Sequence, residues 1–298
     1  MTGRDLGHVD LSDATGDYQI YTPEMIEERV EVREAAAIRK VGERAGVKRP
    51  WEELPMKTIG LIGGMSWESS SEYYRIINEA TQARLGGFHS AKSLMVSVDF
   101  AEIEVMQDQG RWPAMAEILA GSAKSLEDGG ADFVILCTNT MHKVAGEIEA
   151  SIQIPFLHIA DATGQKIQDS GIGKVGLLGT RFTMEEDFYK RRLAGRYGLE
   201  VTVPDARQRE IVHRVIFDEL VKGEMRRESR EQFIEIIEGL ARDGAEGVIL
   251  GCTEIGMLVH EQDCRVPVYD TTRIHAEAAV EYALAEVPSK ISGRTPAS

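Results

Sequence analysis

The chain has 298 residues, enough for two domains, and its 43% hydrophobic content suffices for real cores. A formal net charge of −15, with no basic stripe to offset it, argues against nucleic acid or an anionic membrane as partner. No apolar stretch approaches the ~20 residues that span a bilayer, no charged N-terminal region runs into an apolar core, and three unevenly spaced cysteines make no disulfide framework, so a reducing cytoplasm is the expected location.

Residues 1–55 are polar and charged and carry no strand signal. Thr22-Pro23-Glu24 is a helix start, Gly46 a stop, and Ile26, Val30, Ile38 and Val41 give a modest apolar stripe between them. This segment reads as a partly helical N-terminal extension without a catalytic role.

From Lys57 onward, apolar strands alternate with amphipathic stretches, the pattern of βα units around parallel sheets. Lys57–Gly64 (KTIGLIGG) predicts a strand running into a glycine turn, and its spacing is not the G-x-G-x-x-G of a dinucleotide site. Ser66 and Trp67 follow and are expected to line a cleft. Helices are predicted over Ser69–Arg84, Ala114–Asp128, Glu185–Arg196 and Ala206–Lys222. Between the first two, Val98-Asp99-Phe100 leads to Glu102 and Glu104, read as a solvated helix face. Ile274–Ala285 reads as a closing helix that returns to the first lobe.

Much of this is a duplication. Residues 130–140 (GADFVILCTNT) align with 244–254 (GAEGVILGCTE), so that Thr138 falls opposite Cys252 and Cys137 opposite Gly251. Lys57–Gly64 matches Lys174–Thr180, and Pro155–Asp161 has a counterpart in Pro267–Asp270. The expected fold is α/β with two pseudosymmetric lobes, each a parallel sheet flanked by helices, and the active site in the cleft between them. The first lobe takes residues 56–154 and 267–287, the second 155–266, and 288–298 form a tail.

Apolar β-branched runs that end in small polar residues read as buried parallel strands presenting reactive groups at their C-terminal ends, where open α/β sheets bind ligands. Cys252 is the first candidate. A strand-to-helix turn at Thr253-Glu254-Ile255 aims backbone N–H groups at it and is expected to lower its thiol pKa. Thr138-Asn139-Thr140 forms the opposite wall, with hydroxyls and an amide suited to a carboxylate. His142 and Lys143 are read either as sources of positive potential or, for the histidine, as a structural side chain. Cys137 alternates with Thr138 along the strand and should face packing, and Cys264 is a loop residue. The seven histidines make no metal-ligand spacing with the cysteines, and there is neither a nucleophile elbow nor a lysine context for pyridoxal phosphate.

The segments MKTIGLIGGMSWESS, SVDFAEIEVMQ, VILCTNTMHK, PFLHIADAT, LLGTRFTMEEDFY and VILGCTEIGMLV resemble the aspartate/glutamate racemase family of cofactor-independent amino-acid racemases, over roughly residues 56–287. The resemblance implies interconversion of L- and D-amino acids, aspartate and glutamate or a broader range, by removing the α-proton from one face and returning one to the other. It implies no cofactor and no metal, a homodimer, and Thr138 and Cys252 as the catalytic pair. It also implies substrate contacts from Gln107, Asn139, Thr140, Thr253 and Glu254, with Trp67 beside them in the first turn. The common pattern has cysteine immediately before the Asn-Thr pair. Thr138 fills that slot here, as in a branch that resembles L-aspartate/glutamate-specific and broad-specificity racemases. A single-thiol relative (a malonate-type decarboxylase or maleate isomerase) and a non-catalytic amino-acid-binding protein are the other readings these residues allow. A redox thiol is the weakest, for want of C-x-x-C.

Overall fold

The computed structural model describes residues 56–285. The extension at 1–55 and the tail at 288–298 lie outside the described residues. The first half runs β1 (Ile59–Gly63), α1 (Trp67–Leu85), β2 (Ser93–Ser97), α2 (Phe100–Asp108), α3 (Trp112–Asp128), β3 (Phe133–Leu136), a 3-10 turn at Thr140–Val144, α4 (Ala145–Ser151), β4 (Phe156–Leu157) and α5 (Ile159–Asp169). The second runs β5 (Lys174–Gly179), α6 (Arg181–Glu185), α7 (Asp187–Tyr197), β6 (Glu200–Thr202), α8 (Ala206–Asp218), a 3-10 turn at Leu220–Lys222, α9 (Arg227–Arg242), β7 (Gly247–Gly251), α10 (Ile255–Leu258), β8 (Val268–Asp270) and α11 (Thr271–Ala283).

Two four-stranded sheets result, ordered β2-β1-β3-β4 and β6-β5-β7-β8, and every pairing in them is parallel. The duplication extends to the register. Gly60 sits beside Val134 and Gly176 beside Val248, the pairs that the sequence alignment equates. Both glycines stand where a helix presses on its sheet. A Cβ on Gly60 would lie 3.0 Å from the Phe133 carbonyl oxygen, and one on Gly176 would lie 2.8 Å from Leu240. The apolar strands are buried on both faces because helices cover both, which is why they read as continuous apolar runs.

The lobes exchange helices. After β4 the chain leaves the first sheet, and α5 buries Ile159, Ala160 and Ile167 against Val175, Leu177, Tyr189 and Leu193 of the second lobe. After β8, α11 returns and buries Ala276, Ala279, Val280 and Ala283 against Ile59, Tyr73, Ile76 and Phe133 of the first. The boundaries expected at 154/155 and 266/267 therefore fall one strand too early. Phe156 and Leu157 pair with β3, and Val268–Asp270 pairs with β7. A short strand bonded to its own sheet precedes each crossing, and the helix after it is what crosses. Each large apolar side chain removed from water contributes about 1.5–3 kcal/mol, so the two crossing helices tie the lobes together through both cores.

The predicted helices are present with shifted ends. The stretch at Glu185–Arg196 divides into α6 and α7 at Glu186, where the backbone is extended. Ala206–Lys222 divides into α8 and a 3-10 turn. No helix among the described residues is long and apolar enough to cross a membrane.

Candidate active site

All strands of each sheet run the same way, so the loops after β1, β3, β5 and β7 meet where the lobes face each other. They enclose a cavity lined by Thr138, Asn139, Thr140, Thr180, Cys252, Thr253 and Glu254, with Met65, Phe100, Gln107, Met141, Ile216, Phe217 and Val221 completing the wall. It encloses about 30 Å³, room for roughly two water molecules.

Glu254 organises one side of this cavity. Its side chain is 2% exposed. One carboxylate oxygen accepts from Ser66 Oγ (2.7 Å) and Ser69 Oγ (2.6 Å), the other from Thr253 Oγ1 (2.7 Å) and Cys252 Sγ (2.9 Å). Ser69 also hydrogen-bonds Thr253 directly. The buried carboxylate is therefore solvated by three hydroxyls and a thiol, two of them supplied by the first lobe.

Cys252 does not have the lowered pKa expected of it. Burial pushes the thiol well above its ordinary value, and the Glu254 charge and the hydrogen bond to Glu254 push the same way. Backbone N–H groups of Glu254 and Thr253 oppose this and lose. The helix that follows, α10, is a single turn, and the adjacent carboxylate outweighs it. In the resting protein the thiol holds its proton against a base at hydrogen-bond distance.

The opposite wall is differently furnished. Thr138 Oγ1 makes no hydrogen bond among the described residues and lines the cavity. The Thr138 carbonyl accepts from His142 Nδ1 (2.7 Å), whose Nε2 accepts from the Ile159 N–H (3.2 Å). Both ring nitrogens are used, and burial, followed by His158 and His275, holds the pKa well below the ordinary histidine value. His142 is neutral and structural, and it fixes the strand end that bears Thr138. Lys143 points to the rim, pairing with Glu186 at 2.6 Å and lying 3.7 Å over the Trp112 ring, and so supplies no free charge to the cavity.

Asn139 Nδ2 donates to Thr271 Oγ1 at 3.0 Å, and that hydroxyl donates in turn to the Leu250 carbonyl. This orientation leaves Asn139 Oδ1 buried without a partner. Thr140 Oγ1 reaches across the lobes to Thr180 (2.9 Å) and Thr183 (3.4 Å). Gln107 lines the cavity from α2, 4% exposed, with a carboxamide that hydrogen-bonds nothing among the described residues.

Trp67 is misplaced by the sequence reading. It opens α1 at 70% exposure and lines a surface depression with Tyr74 and Met95, while its neighbour Ser66 turns inward to cap the helix and bind Glu254. Cys137 packs among Ile59, Tyr73 and Ala276. Cys264 is half-buried in a loop, where burial raises its pKa to about 11. The sequence reading missed Ser69, Thr180 and the apolar wall. The signal for the first two was available: Ser66/Ser69 and Thr180/Thr183 are equivalent helix-start pairs after the duplicated strands β1 and β5. Among the described residues no group of three His, Cys, Asp or Glu side chains is placed to hold a metal ion.

A thiol beside a carboxylate and a hydroxyl from the other lobe thus line one cavity. The profile of the family described as Asp/Glu/hydantoin racemase matches residues 62–279. The chain belongs to that family, and it is an amino-acid racemase, an isomerase. It is 24% identical over 233 residues to the broad-specificity amino-acid racemase RacX of Bacillus subtilis, covering 76% of this chain and 98% of that one. Its fold matches that of a Yersinia pestis protein described as a candidate Asp/Glu racemase, with TM-score 0.72 and 53% identity over 77% of this chain and all of the other. It also matches PH1733 of Pyrococcus horikoshii, an aspartate racemase homologue, with TM-score 0.68 and 35% identity over 76% of this chain and 99% of that one.

Proposed function

We propose that the enzyme inverts its substrate without pyridoxal phosphate, through Cys252 on one face and Thr138 on the other. The observation that carries this is the Cys252 Sγ–Glu254 Oε2 hydrogen bond of 2.9 Å in a cavity that the Thr138 hydroxyl also lines. Cys252 gives its proton to Glu254, and the thiolate takes the α-proton, breaking Cα–H and re-forming S–H. The electron pair left on Cα delocalises into the α-carboxylate. Thr138 gives its proton to Cα from the far side and regains one from a cavity water, and Glu254 returns a proton to the hydroxide so formed. The cycle closes with every group in its starting state and runs equally in reverse.

Asn139 Oδ1 is suited to accept from the substrate ammonium, and the Thr140 hydroxyl, which can accept from Thr180 or Thr183, to donate to the α-carboxylate. The low-dielectric surroundings strengthen these contacts. The test is proton NMR in deuterium oxide with L- and D-amino acids, combined with chiral chromatography. Loss of the α-proton signal together with growth of the other enantiomer is the expected result; a substrate losing carbon dioxide, or binding without exchange, would overturn the reading. We also propose a cytoplasmic homodimer, as the family resemblance implies. Light scattering behind a sizing column checks the dimer, and cell fractionation checks the compartment.

A further inference from the structure

We propose that the cavity accepts an uncharged side chain in preference to the carboxylates of aspartate and glutamate, an inference that rests on the racemase reading. The strand-end groups Thr138, Asn139, Thr140, Cys252 and Thr253 are those placed to handle the amino, carboxyl and α-carbon atoms common to every amino acid. Apart from Glu254, what remains of the wall is Met65, Phe100, Met141, Ile216, Phe217 and Val221, with Gly251 and the polar Gln107 and Thr180. Phe100 and Gln107 are two turns apart on one face of α2, and Ile216, Phe217 and Val221 come from α8 and the turn after it. One helical segment from each lobe therefore closes over the substrate with an almost wholly apolar surface.

Charge points the same way. The cavity already holds the Glu254 carboxylate, whose partners are hydroxyls and a thiol rather than a cation. No lysine or arginine is among the lining residues, and Lys143, the nearest cation in sequence after Met141, pairs with Glu186. A side-chain carboxylate, added to the α-carboxylate that every substrate brings, would meet no cation among the lining residues and would repel both the α-carboxylate and Glu254 in a low-dielectric space. An amide or hydroxyl meets no such penalty. The Gln107 carboxamide, buried and unpartnered, both donates and accepts, so it satisfies a neutral polar group at either end.

Isosteric pairs separate charge from size. The full-length enzyme is assayed for α-proton exchange in deuterium oxide with L-asparagine against L-aspartate and with L-glutamine against L-glutamate. We expect kcat/KM to favour the amide at least about tenfold in both pairs. Phe217→Arg and, independently, Val221→Arg bring a cation to the wall and should narrow or reverse both ratios. Aspartate and glutamate exchanging as fast as their amides in the wild type would overturn the proposal while leaving the racemase reading intact. Exchange with no amino acid at all would remove the racemase reading, and this proposal with it.

Discussion

The loops after β3 and β7 begin as the same object and end as different ones. Val134-Ile135-Leu136 and Val248-Ile249-Leu250 occupy equivalent places beside Gly60 and Gly176, and each delivers its next residues into the same cavity. After β7 the chain brings a thiol bonded to a carboxylate, whose other donors come from the opposite lobe. After β3 it brings a hydroxyl with no hydrogen bond among the described residues and an amide oxygen buried without a partner. Duplication preserved where the backbone goes, and the side chains divided the labour. One wall carries its own base, whereas the other depends on what enters the cavity.

Removing the stronger wall should have the largest effect. Cys252→Ala takes away the group proposed to touch the α-proton, so turnover should fall at least ~100-fold, the usual range for a positioned acid–base group. Thermal melting should shift little, because the cavity already holds space. A variant that keeps more than a tenth of wild-type kcat would show that Cys252 is not the proton acceptor.

Glu254→Gln sharpens the comparison because it separates thiol acidity from catalysis. Burial is the largest cause of the raised Cys252 pKa and remains in the variant, while the charge and hydrogen bond of Glu254, the next two causes, are lost. The thiol pKa should therefore fall, and alkylation by iodoacetamide near neutral pH should become faster. Turnover should nevertheless drop by ~10-fold or more, because no base remains to take and return the proton. Slower alkylation with unchanged turnover would make Glu254 a structural carboxylate only.

Thr138→Cys tests the weaker wall. In the wild type, the enantiomer whose α-proton faces Cys252 should exchange with solvent deuterium faster than it inverts, since return from the far side runs through a hydroxyl that is a poor acid. A thiol at position 138 should raise the inversion rate several-fold and bring the two rates together. Equal rates of exchange and inversion in the wild type would mean that Thr138, or water acting through it, already matches a thiol.

The difference between the walls also marks how far the sequence could be read. The β-branched runs and their glycine turns announced both sheets, because parallel strands covered on two faces must be apolar throughout. The aligned repeats put Thr138 and Cys252 after equivalent strands, and both line the same cavity. What escaped was set by contacts between segments far apart in the chain. Glu254 raises the Cys252 pKa only because burial, a short helix and two serines near position 66 come together in three dimensions. Trp67 and Ser66 are adjacent, yet one faces solvent and the other Glu254, a choice made by the capping geometry of α1. The helix exchange was half legible: the closing helix was expected to cross back, but the strands preceding the two crossings were assigned to the wrong lobe, because two or three paired residues carry too little pattern to show which sheet holds them.

The smallest expected effect falls on the residue that the duplication leaves without a counterpart. Cys137 aligns with Gly251, where a Cβ would lie 2.7 Å from the Leu178 carbonyl oxygen, so the second lobe has no room for a side chain at this position. The first lobe has room, and fills it with a sulfur that is fully buried and held protonated by that burial. Cys137→Ala should leave kcat and the exchange-to-inversion ratio unchanged, and should lower stability by about 1 kcal/mol through the space left in the core. Urea unfolding midpoints measured beside turnover separate the two outcomes. A turnover loss matching that of Cys252→Ala would make Cys137 the second acid, and the asymmetry between the walls would then lie in which residue of the repeat is used rather than in a hydroxyl facing a thiol.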